Sequence, residues 1–111
     1  MTALRSSHAV WLEWRAYMLS GMSATAAGEP PDPARASQLY RIATKVILAV
    51  ERDGLLVFTP EESTLLAAEA NALTERVAQE QRRPADHRDL LRAEEWLMIA
   101  RALREILEAT E

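Results

Sequence analysis

The chain has no cysteine, one lysine, two histidines and three glycines among its 111 residues. Without cysteine there is no disulfide framework, no thiolate metal site and no thiol nucleophile. The glycines stand apart at 21, 28 and 54, so a glycine-rich phosphate loop has nothing to form from. His8 and His87 lie near opposite ends of the chain, and neither belongs to an E-x-x-H or H-x-x-x-H pair of the kind that binds metal on a helix. They offer no Ser-His-Asp set either. No metal or cofactor is expected. Apolar runs are short: Val10–Leu12 and Ala16–Leu19 are separated by Glu13 and Arg15. That excludes a membrane span of roughly 20 apolar residues and does not resemble a secretory signal. The cytoplasm is the expected location.

What the chain does have is alanine and leucine, 20 and 15 residues of them, with few β-branched or aromatic side chains. That balance favours helix. Twelve arginines stand against the single lysine, a bias read here as one of coding. The formal charge of −4 argues against a dedicated nucleic-acid binder, but the charge is uneven. Residues 1–54 carry six basic and five acidic side chains, whereas residues 55–111 carry seven and twelve.

Caps and stripes predict one all-α domain over 1–111, an up-down bundle of four helices at about 3–20, 33–53, 60–82 and 86–109, with a loop at 21–32. Asp32-Pro33 reads as a helix start, Asp53-Gly54 as a left-handed helix stop, and Thr59-Pro60-Glu61-Glu62 as a capping box. In the second helix Ala36, Leu39, Tyr40, Ala43, Val46, Ile47 and Val50 form the expected core face. Leu55–Phe58 is a connector that buries Leu56 or Phe58. The third helix shows a narrow seam at Leu66, Ala70, Leu73 and Val77, spaced for an antiparallel hairpin with the fourth. On the fourth, Leu90, Ala93, Trp96, Leu97, Ile99, Ala100, Leu103, Ile106 and Leu107 form the apolar side. Arg101–Glu105 and Arg104–Glu108 are expected ion pairs on its wet side.

The first helix is apolar around more than half of its circumference. Leu4, His8, Trp11, Leu12, Met18, Leu19 and Met22 make one stripe and Val10, Trp14 and Tyr17 a second, leaving Arg5, Ser6, Glu13 and Ser20, with Ala9 and Ala16, for solvent. A helix of this kind needs cover on two sides. Val10, Trp11, Trp14, Tyr17 and Met18 are therefore the expected partner interface, and a homodimer or a subunit of an assembly is the expected state. His8 and Arg15 read either as a polar pair at a ligand pocket or as a helix-interface histidine with Arg15 snorkelling past Trp11.

Two short motifs point elsewhere. Tyr17–Gly28, with its Ala24-Thr25-Ala26-Ala27 run, resembles the start of the helix-turn-helix of phage small terminase subunits. This chain then continues Glu29-Pro30-Pro31-Asp32, where that family has a Gly-Tyr-Ser-like turn. The resemblance implies nucleic-acid binding, with Arg35, Arg41 and Lys45 of the second helix meeting phosphates. Arg82 and His87 fit the R-x4-H pattern carried by helical HEPN ribonucleases, in which histidine activates a 2′-hydroxyl and arginine steadies the phosphorane. Glu61-Glu62 and Glu94-Glu95 are similar to the paired carboxylates of all-α nucleotide pyrophosphohydrolases, but the first pair is explained as a helix start and Glu94 falls on the solvent side. A non-enzymatic, self-associating interaction module is the leading expectation; a nucleic-acid accessory protein and a small ribonuclease are the alternatives.

Overall fold

The computed structural model describes residues 3–21, 29–52 and 54–110. Among them are four α-helices, α1 (Ser6–Leu19), α2 (Pro33–Glu51), α3 (Pro60–Gln81) and α4 (Leu90–Ala109), with a 3-10 turn at Ala85–His87 and no strand.

Each helix starts where a side chain can take an orphan backbone N–H. On α1 the group is His8, whose Nδ1 accepts from the Arg5 backbone N–H at 3.1 Å, so the helix begins at Ser6 rather than near residue 3. Asp32 accepts from Arg35 N at 3.1 Å, with Pro33 in the first helical position of α2. The Thr59 hydroxyl accepts from Glu62 N at 3.1 Å while Glu62 Oε1 accepts from Thr59 N at 2.9 Å, completing the box. Thr59→Ala removes one half of this exchange and is expected to cost about 1 kcal/mol, measured as a lower denaturant midpoint at unchanged slope. The start of α4 differs from expectation. Pro84 is extended, a short 3-10 turn follows, and Asp89 is the residue that caps, through Arg92 N at 3.0 Å. Glu80 anchors that start by accepting from Asp89 N at 2.7 Å.

The left-handed glycine is Gly21 (φ 85°), not Gly54. It turns the chain after α1, and the Asp32 N–H then donates to Leu19 O at 2.7 Å. A Cβ at Gly21 would lie 3.3 Å from Pro31 Cβ. Gly54 closes α2 differently, by donating its N–H to Ala49 O at 2.9 Å. Asp53, Met22 and the Ala24–Ala27 run lie outside the described residues.

α1 packs closely on α2, α3 on α4, and α1 on α4. α2 and α3 meet instead through ion pairs, Lys45–Glu62 at 2.6 Å and Arg35–Glu69 at 2.8 Å. The core holds Leu12, Leu19, Leu39, Ile42, Val46, Leu66, Leu73, Ile99, Leu103 and Ile106, all essentially inaccessible. The seam read on α3 is fully buried, and Leu56 is the connector residue that enters the core. Ala9 and Ala16, expected in solvent, are also buried, as are Ala36 and Ala43 on α2. These alanines recur seven apart on both helices, where small side chains permit a short interaxial distance. On α2, Ile42 takes the core place that Tyr40 was expected to fill; Tyr40 is 40% exposed. Leu90 and Leu97 are likewise exposed. Among the described residues no helix is long and apolar enough to cross a membrane.

Candidate functional site

The stripes of α1 divide into an inward and an outward side, with Trp11 of the first stripe on the border between them. Leu12 and Leu19 point into the core, while Val10 and Trp14 remain exposed and Trp11 and Tyr17 half-buried. The outward residues line an open groove of about 600 Å³ together with Glu13, Tyr40 of α2 and Glu95 of α4. Trp14 and Tyr17, three residues apart on α1, stack with ring centroids 5.6 Å apart and planes inclined by 24°. The stack restricts the freedom of two large side chains on the groove wall. Four of the five expected interface residues thus lie along this groove. Met18 does not. It is buried in the core, because it stands three residues after the buried Arg15 and so shares that inward side of the helix.

Behind the groove, α1 sends a charge inward. Arg15 is 1% exposed, so it neither snorkels nor pairs with His8. Its Nη1 and Nη2 donate to the two oxygens of Glu29 at 2.7 and 2.6 Å, and its Nε donates to Glu69 Oε2 at 2.9 Å. Glu69 Oε1 accepts from Arg35 Nη1 at 2.8 Å, and Arg35 Nε lies 3.2 Å from Asp32 Oδ2. Arg76 completes the cluster, 3.7 Å from Glu29 and above the face of Trp96 at 5.7 Å. Three guanidinium groups and three carboxylates balance. The indole N–H of Trp96, beside them, has no hydrogen-bond partner among the described residues.

Burial opposes charge on Glu29, but the hydrogen bonds and charge of Arg15, with the charges of Arg76 and Arg35, outweigh it and keep its carboxyl below the ordinary range. Burial also opposes the charge on Arg15, and Glu29 and Glu69 together reverse that effect, so its pKa is raised. A carboxyl with a depressed folded pKa stabilises above its unfolded pKa and loses that contribution as pH falls through the folded value. Stability is therefore expected to be level from neutrality down to about pH 5 and to fall in stronger acid, below about pH 4. Denaturant midpoints measured from pH 7 to pH 3 test this; equal midpoints at the two ends would contradict it.

His8 is buried at the other end of α1, where its Nε2 lies 2.8 Å from Glu105 Oε2. Arg5 reaches the same oxygen at 3.1 Å. The His8 hydrogen bond, ahead of the opposing effect of burial and aided by the charges of Arg5 and Arg101, lowers the pKa of Glu105. Glu105 thus joins α1 to α4, and Arg104 donates to Thr74 Oγ1 at 3.0 Å on α3.

The basic stripe of α2 is largely engaged. Arg35 belongs to the buried cluster and Lys45 to Glu62, whereas Arg41 is exposed without an ion pair among the described residues. Arg82 and His87 have separate partners, Glu75 at 3.6 Å and Asp86 at 3.9 Å, and all four side chains are more than half exposed. Among the described residues, no three His, Asp or Glu side chains converge as metal ligands.

The sequence does not show Glu29 and Glu69 as partners of Arg15, or Arg76 as a partner of Glu29. One clue existed: Glu69 lies between Leu66 and Leu73, a charge inside an apolar seam. Tyr40 and Glu95 were also missed as groove walls. Comparison with protein-family models, curated proteins and solved structures gives no match.

Proposed function

We propose that this chain is a non-enzymatic interaction module, an up-down four-helix bundle that self-associates through the aromatic groove of α1. The observation that carries this reading is the groove itself. Trp11, Trp14, Tyr17 and Tyr40 line one open concavity on a small domain whose core is already filled by other residues. Aromatic side chains concentrate interface energy, and open apolar concavities mark contact sites. Trp14→Ser with Tyr17→Ser is expected to reduce the mass seen by sedimentation while the helical circular dichroism stays intact. A wild-type chain that is monomeric at tens of micromolar would remove the reading.

Nucleic-acid binding is the second reading, supported by Arg41, which is exposed and has no ion pair among the described residues. It requires binding that weakens steeply with salt and falls when Arg41 is neutralised. The ribonuclease reading has less support, because Arg82 and His87 face different carboxylates. RNA cleavage abolished by His87→Ala would reinstate it.

A further inference from the structure

We infer that the occupant of the α1 groove is the α3–α4 turn of a second copy of this chain, an inference that rests on the self-association proposed above. The groove carries charge of one sign. Glu13 and Glu95 line it, and neither has an ion-pair or hydrogen-bond partner among the described residues. Groove packed on groove would gather four carboxylates, two from each copy, into one interface, and like charges in an interface oppose association. The aromatic faces beside them favour a cation. The fitting partner is therefore apolar and basic.

The chain exposes such a segment. Every residue from Gln81 to Leu91 is exposed. Leu90 and Leu91 are 69% and 82% accessible and form an adjacent apolar pair at the start of α4. Arg88 and Arg92 flank them. Arg88 uses Nε on the Arg83 carbonyl at 2.8 Å, Arg92 gives its backbone N–H to the Asp89 cap, and neither guanidinium group has a carboxylate partner among the described residues. The turn thus offers two leucines for the aromatic walls and two guanidinium groups for Glu13 and Glu95.

The placement also closes. Glu95 follows Leu91 by four residues on α4, so groove and turn adjoin on one face of that helix. A twofold axis beside them sets each turn on the other copy's groove, giving two equivalent contacts and a dimer that does not grow further.

Charge reversal with mixing tests the inference. Glu13→Arg/Glu95→Arg makes groove and turn both basic; Arg88→Glu/Arg92→Glu makes both acidic. Each variant alone is expected to associate at least about tenfold more weakly than wild type, and an equimolar mixture to regain the two-chain mass, since both contacts then pair opposite charges. Circular dichroism checks that each variant is folded, and the single changes Glu13→Arg and Arg88→Glu, both at exposed positions, repeat the experiment if a double variant is not. If the mixture stays monomeric, or if the reversals associate like wild type, the turn is not the occupant. Loss of association in Trp14→Ser in that second case would leave the groove as the docking face. A monomeric wild type would remove both proposals.

Discussion

Arg15→Met is expected to destabilise the protein by about 3–5 kcal/mol, a large part of the roughly 5–15 kcal/mol available to a domain of this kind. Methionine replaces the aliphatic stem but not the three hydrogen bonds to Glu29 and Glu69. Glu29 and Glu69 are themselves 8% and 3% exposed at the side chain, so two carboxylates lose a partner in a place water scarcely reaches. Arg35 and Arg76 soften the loss, since each already touches one of them. The comparison that isolates the charge effect is Arg15→Met/Glu29→Gln/Glu69→Gln, which leaves no buried ion in this cluster and is expected to recover much of the loss. Urea denaturation of the two variants measures both quantities. A change of less than about 1 kcal/mol in Arg15→Met, the size of an exposed pair, would show that the cluster is weakly coupled to folding.

Leu12→Ala is expected to cost about 2–5 kcal/mol, whereas Trp14→Ser, two positions on, is expected to leave the monomer's stability nearly unchanged and to reduce association. The difference follows from the two stripes of α1. Leu12 is fully buried in the core cluster, and its removal opens a cavity. Trp14 is 42% exposed at the groove, so truncation removes surface rather than core. Thermal melts and sedimentation of the two variants should give opposite results. Trp14→Ser melting like Leu12→Ala would make the indole part of the domain core and dissolve the distinction between the stripes.

Much of the helical architecture is legible from local chemistry. Thr59 with Glu62, and Asp32 with Arg35, mark helix starts through bonds spanning three residues, each followed by a proline in the first helical position, and the four-three-four spacing of Leu66, Ala70, Leu73 and Val77 identifies a buried seam. Errors arise where the deciding neighbour is distant. Ala9 and Ala16 read as solvent-facing because a wheel knows only their own helix; closeness to α2 buries them. Tyr40 reads as core for the same reason, while Ile42 holds that position. The groove was half legible: Val10, Trp14 and Tyr17 stood out as a surplus stripe, but its walls at Tyr40 and Glu95 come from other helices. Arg15 was least legible. Its partners lie 14 and 54 residues away, and no spacing rule on one helix reaches them.

The ion cluster has a consequence for how the chain comes apart. α1 and α2 form one close pair and α3 and α4 another, an arrangement that invites melting in two stages. Arg15 and Glu29 belong to the first pair and Glu69 and Arg76 to the second, so separating the pairs strips Arg15 of one carboxylate and Glu69 of two guanidinium groups. Together with the packing of α1 on α4 and the core shared by all four helices, these bonds tie the two pairs to each other, so the chain is expected to unfold in one transition with the cluster as a latch between its halves.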